Sequence, residues 1–118
     1  LMPTLCELAG MDKPKGIDGV SFAPTLLGQS GKQEKREYLY WEFHERGGKQ
    51  AVRMGKWKGI RLNVRKNKDA PIELYDLSKD IGEEKNLADK HPDLVRKMAQ
   101  AMADSHTPNP NFPFLPGE

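Results

Sequence analysis

The sequence predicts an α+β fold: a four-stranded, mostly antiparallel sheet packed against a C-terminal helix, preceded by a short truncated helix and a winding connection. Three observations carry this. Four short apolar segments lie between residues 37 and 77, and the first alternates faces as a half-buried strand does. The links between them are too short to hold crossover helices, which favours antiparallel pairing. One segment with helical periodicity follows, opening on Pro92-Asp93.

In chain order, Pro3 to Ala9 read as a short helix, with Leu5 and Ala9 one turn apart and Gly10 placed as a stop. No capping residue precedes it, so the helix reads as truncated. Pro14, Gly16, Gly19, Pro24, Gly28 and Gly31 then break residues 11–31 into turns, with a short helical turn near Ala23 to Leu27. Lys32 to Arg36 are a charged, solvated link. Strands are expected at Glu37–His44, Gln50–Met54, Trp57–Leu62 and Ile72–Leu77, the second and third joined by a Gly55-Lys56 turn. In the first strand the Leu39, Trp41 and Phe43 face is expected in the core. The helix runs from Pro92 to about Asp104 and should lay Leu94, Val95, Met98, Ala101 and Met102 on the sheet. Pro108, Pro110, Pro113 and Pro116 make residues 105–118 an extended tail, whose Phe112, Phe114 and Leu115 imply packing on another surface.

The composition narrows the function classes. At 118 residues the chain suits one domain with a modest core, since 36% of residues are hydrophobic and 31% charged. Nineteen basic against seventeen acidic side chains leave a formal charge of +2, too little by itself to imply nucleic acid or an anionic membrane. No apolar run reaches the roughly 20 residues a membrane span needs. A single cysteine, Cys6, excludes an intrachain disulfide framework and a cysteine-rich zinc site, and reads as an apolar helix residue.

Four motifs occur in a fixed order: Pro3-Thr4-Leu5-Cys6-Glu7-Leu8-Ala9-Gly10, Asp18-Gly19-Val20-Ser21, Ala51-Val52-Arg53-Met54-Gly55-Lys56-Trp57-Lys58, and Glu73-Leu74-Tyr75-Asp76-Leu77 closing on Asn86-Leu87. Each is weak alone. Together they resemble the C-terminal subdomain of the type I, formylglycine-dependent sulfatases, the arylsulfatase family. One departure is Ile81-Gly82, where many relatives have Pro at the first position.

The resemblance implies that residues 1–118 form one C-terminal subdomain: 1–36 a connection from an upstream catalytic domain, 37–104 the sheet and helix, 105–118 the tail. It implies that the parent enzyme hydrolyses sulfate esters, as of a sulfated carbohydrate, with calcium and formylglycine in the upstream domain and an extracytoplasmic, periplasmic or secreted location. The partners implied are that domain and a sulfated small molecule or glycan, with no nucleic acid. The chain alone should be inactive. Cys6-Glu7-Leu8-Ala9-Gly10 lacks the Pro or Ala and the Arg of a formylglycine site, so no catalytic residue and no metal ligand is expected here.

Function within the chain is expected instead at the loop after the first strand, where His44, Glu45, Arg46 and Lys49 flank Gly47-Gly48. Imidazole and guanidinium groups bind sugar hydroxyls and sulfate oxygens, and paired glycines allow close backbone approach. These four are the candidate substrate-binding residues; the bland reading is an exposed polar hairpin. Arg53 is expected to pair with a carboxylate or to point into an interdomain contact, and the acidic loop Asp76, Asp80, Glu83 and Glu84 to be closed by side-chain bonds to backbone. The alternatives are a small binding module for an anionic polysaccharide or nucleic acid, using the 44–49 loop and the basic 61–68 segment, and a purely structural interaction domain.

Overall fold

The computed structural model describes residues Leu1–Glu118. The chain divides into two compact units, Leu1–Arg36 and Glu37–Glu118.

In the first unit α1 (Met2–Leu8) carries Pro at its opening turn, where a missing N–H costs nothing. Its Thr4 is buried and accepts the Phe22 N–H at 3.1 Å, tying the winding segment to the helix. A second helical turn, α2 (Ala23–Leu26), opens where the Ser21 hydroxyl accepts the Ala23 N–H. Gln33 then donates to the Ser21 carbonyl at 2.8 Å and accepts from the Thr25 hydroxyl at 2.7 Å. A short 3₁₀ turn at Ser30–Lys32 precedes the link.

The second unit holds the sheet, β1 (Leu39–Phe43), β2 (Lys49–Met54), β3 (Trp57–Leu62) and β4 (Ile72–Asp76), in sequence order and antiparallel throughout. A final helix, α3 (Pro92–Ser105), covers one face. Val52, Ile72 and Leu74 meet Met98, Ala101 and Met102 in the core, with Tyr38, Tyr40, Met54 and Trp57 packed around them. Gly59 sits where β3 passes beneath α3: a Cβ there would lie 2.5 Å from Met98 Sδ, so the close approach requires glycine.

The first strand inverts the expected facing. Leu39, Trp41 and Phe43 are 37%, 49% and 48% exposed, while Tyr38 and Tyr40 pack on the core. Val52 fixes the facing: it is fully buried under α3, and it pairs with Tyr40 on one side and Gly59 on the other. Everything in register with Tyr40 therefore faces the helix. Leu39, Trp41 and Phe43, with Ala51 and Arg53 across from them, lie on the second face, which is open at β1 but closed at β4, where Tyr75 is buried and Glu83 of the following loop pairs with Lys58.

Candidate functional site

The acidic segment after β4 is structural. Asp76 is buried, and its carboxylate accepts from the Ser78 N–H at 3.1 Å, the Ser78 hydroxyl at 2.5 Å and Lys56 Nζ at 2.8 Å. Lys56 and Ser78 hold it at about 2, below the usual carboxylate range. Asp80 accepts the Glu84 and Lys85 N–H groups at 3.1 and 2.8 Å, and those bonds lower it too. Glu83 pairs with Lys58. Asn86 Oδ1 accepts the Leu74 and Ala88 N–H groups, and the Leu87 N–H donates to the Leu74 carbonyl, so the Asn-Leu pair closes the loop on the edge strand β4.

These carboxylates are consumed in holding the loop and do not fit a calcium site. Cys6 is likewise unsuited to become formylglycine: it is buried in α1 and lacks the flanking Arg. Arg53 Nε donates to the Gly55 carbonyl at 3.1 Å within its own turn, not to a carboxylate.

The 44–48 loop joins β1 to β2 at the opposite end of the sheet from that acidic loop. His44, Glu45 and Arg46 are brought together there with exposed side chains, and Arg46 stands at φ 52°, a backbone turn uncommon for a residue with a Cβ. No ion pair joins them to one another or to the rest of the unit. Lys49 stands apart as the first residue of β2, half-buried beside Phe43, its Nζ 5.9 Å from that ring.

Gly47 and Gly48 stand at φ 87° and 75°. The space a side chain would take at each is already filled by the chain itself. A Cβ on Gly47 would meet Asn63 Oδ1 at 2.7 Å, and one on Gly48 would meet Arg65 Cγ at 2.7 Å and Val64 Cγ2 at 2.9 Å. The Val64 and Arg65 N–H groups donate to the Gly48 and Gly47 carbonyls at 3.2 and 3.1 Å. The glycines fasten the loop to the chain's own 63–65 turn, which holds the three polar side chains outward.

The tail packs, as its apolar residues led us to expect, but on its own unit and through Phe114 in particular. Phe114 is 1% exposed, with the His44 ring 4.7 Å away and the His106 ring 5.8 Å away. It packs on its own unit, whereas Phe112 stays 70% exposed. His106 Nδ1 lies 2.5 Å from Glu42 Oε1, and Nε2 pairs with Glu118. Glu118 in turn accepts the Phe114 and Leu115 N–H groups at 2.9 and 3.1 Å. Burial opposes charge on the His106 ring, but the Glu42 and Glu118 carboxylates outweigh it and raise the imidazole above its ordinary value. The Phe114 and Leu115 N–H groups, with His106, lower Glu118.

Glu42 extends the network inward. The Tyr40 hydroxyl donates to Glu42 at 2.5 Å and accepts from Gln50 at 2.9 Å, and burial together with Glu42 raises the phenol. A doublet of carboxylates on one histidine is hard to find in sequence, because Glu42, His106 and Glu118 are separated by 64 and 12 residues.

A four-stranded antiparallel sheet with one helix packed on it and an exposed apolar edge strand places the chain in the α+β class, and its relatives give the family. Residues 1–107 match the family model for the C-terminal region of N-sulphoglucosamine sulphohydrolase, and the chain belongs to that sulfatase family. It is similar to the Δ4,5-hexuronate-2-O-sulfatase of Bacteroides thetaiotaomicron, 36% identical over 104 residues that cover 87% of this chain and 21% of that protein. It is also similar to human arylsulfatase A, 32% identical over 124 residues covering 85% of this chain and 24% of that protein. A solved Bacteroides thetaiotaomicron structure assigned to the sulfatases superposes with a TM-score of 0.73 at 35% identity, over 88% of this chain and 23% of that one. The phosphonate monoester hydrolase of Agrobacterium radiobacter, at 24% identity and a TM-score of 0.62, shares the fold. The chain thus spans about a fifth to a quarter of the length of its relatives.

Proposed function

We propose that this chain is the C-terminal part of a sulfatase that hydrolyses sulfate esters of a sulfated carbohydrate. The nucleophile and metal belong to the upstream domain, where the family's formylglycine and calcium chemistry resides. Residues 1–36 form the connection from that domain, 37–104 the appended sheet and helix, and 105–118 a tail. The location that goes with this reading is extracytoplasmic.

The observation that carries the reading beyond family membership is the open β1 face. Leu39, Trp41 and Phe43 form a contiguous apolar surface of the kind that marks an interface. The relatives are four to five times longer, and the occupant we assign to this surface is the domain that holds the reaction. On the same strand the chain passes directly from Phe43 to His44, so a partner seated on that face lies next to the 44–48 loop. On this reading His44, Glu45 and Arg46, with Lys49 at the root of β2, contact sugar hydroxyls and a sulfate group at the rim of the cleft.

The test is kinetic and uses the longer polypeptide. In Arg46→Ala and His44→Ala, KM for a sulfated saccharide should rise about tenfold, the worth of one charge-assisted hydrogen bond, with kcat for a small aryl sulfate unchanged. Unchanged KM for the saccharide in both variants would remove the loop from the substrate site.

A further inference from the structure

At the end of the sheet opposite the 44–48 loop, the β2–β3 turn and the loop after β4 line a half-open hollow of about 440 Å³. Its walls carry Lys56, Lys79, Lys85 and Lys90, together with the Trp57 indole. Only two carboxylates, Asp76 and Asp80, line it, and both are already committed: Asp76 to Lys56 and Ser78, Asp80 to the Glu84 and Lys85 N–H groups. Lys79, Lys85 and Lys90 make no ion pair in the structure.

The electrostatic consequence is a concave surface whose negative groups are spent and whose ammonium groups, Lys56 apart, are not. Like charges gathered round a hollow repel one another, and an anion placed among them relieves that repulsion. Part of the wall is apolar. Trp57 is half-buried, with Lys56 Nζ 4.9 Å from its ring centroid and the His91 ring 4.8 Å away, and Leu87 adjoins them. A single oxyanion would fill little of a hollow this large, and a pocket of this volume is within the range that holds small organic ligands.

We propose that this hollow is a binding site for a small sugar bearing a sulfate or phosphate ester, with the oxyanion held by Lys79, Lys85 and Lys90 and the organic body against Trp57 and Leu87. The site is separate from the 44–48 loop and stands without the sulfatase reading, because it rests on charge and shape alone. It is a binding site with no chemistry assigned to it.

Titration of the full chain with glucose 6-sulfate and glucose 6-phosphate, followed by the Trp57 indole N–H resonance and by calorimetry, tests it. Both esters should bind saturably and shift Trp57, inorganic sulfate should bind more weakly, and glucose should not bind. Lys79→Gln combined with Lys85→Gln should weaken the esters at least about tenfold with an unchanged melting temperature, since both side chains are exposed and unpaired. Lys66→Gln with Lys68→Gln removes the same charge from the far loop and should leave affinity unchanged. If the first pair unfolds the chain, Lys90→Gln read by the same Trp57 shift decides. No saturation, equal binding of glucose, inorganic sulfate as tight as the esters, or equal loss in the far-loop pair would each overturn the assignment.

Discussion

His106 is the side chain on which the end of the molecule near the candidate site depends. Both ring nitrogens face carboxylates, so only the doubly protonated imidazole donates to Glu42 and Glu118 together. Because folding raises its pKa, its contribution is complete below the ordinary histidine value of 6.5 and is lost as pH rises through the higher folded value. Asp76 and Glu118 act at the other edge. Folding lowers both, so their contributions are present above the ordinary carboxylate range and disappear as pH falls, for Asp76 toward about 2. Urea midpoints measured against pH should therefore decline on both sides of a mildly acidic maximum. In His106→Gln the alkaline decline should flatten, with a loss of about 1–2 kcal/mol on the acid side of neutrality; an unaltered alkaline limb would exclude the clamp. Phe114→Ala, which empties a fully buried site, should cost about 3–5 kcal/mol in the same assay. The sequence signalled a tail that packs through Phe112, Phe114 and Leu115, but not the clamp, whose Glu42 lies 64 residues from His106.

At the level of elements, the strands, their order and α3 follow from local pattern, and the strand and helix bounds lie within two residues of expectation. The helix stripe was legible for the same reason: Met98, Ala101 and Met102 are the buried residues of α3. The facing of β1 was not. Alternation divides a strand into two faces but does not say which one a helix covers, and here both faces are apolar, Tyr38 and Tyr40 against Leu39, Trp41 and Phe43. Ranking them by hydrophobicity chose the wrong one, because the neighbour that decides the matter is Gly59, two strands away, where α3 comes close. Gly59→Val should force α3 off the sheet and cost about 1–3 kcal/mol in thermal or urea unfolding. Trp41→Ser in the chain alone should cost less than about 1 kcal/mol, because half of that side chain is already in water. A large loss from Trp41→Ser would mean that this face is closed.

For the whole molecule, a strand apolar on both sides is what a domain needs when one face holds its own helix and the other meets a neighbour. The family motifs made the class legible: each marks a place where backbone is pinned, as Thr4 pins the Phe22 N–H and Asn86 pins β4. The candidate loop was legible as a cluster of polar side chains, but the packing role of its glycines was not, since contact with Asn63, Val64 and Arg65 lies in three dimensions and not in spacing. On our proposal the catalytic domain of a longer sulfatase covers the open β1 face. Hydroxyl-radical footprinting of Trp41 and Phe43, compared between this chain and the longer polypeptide, decides the matter. Both rings should label strongly in the chain alone and be protected about tenfold in the longer protein, with exposed Phe112 labelled in both; equal labelling of Trp41 and Phe43 in the two would rule the covering out.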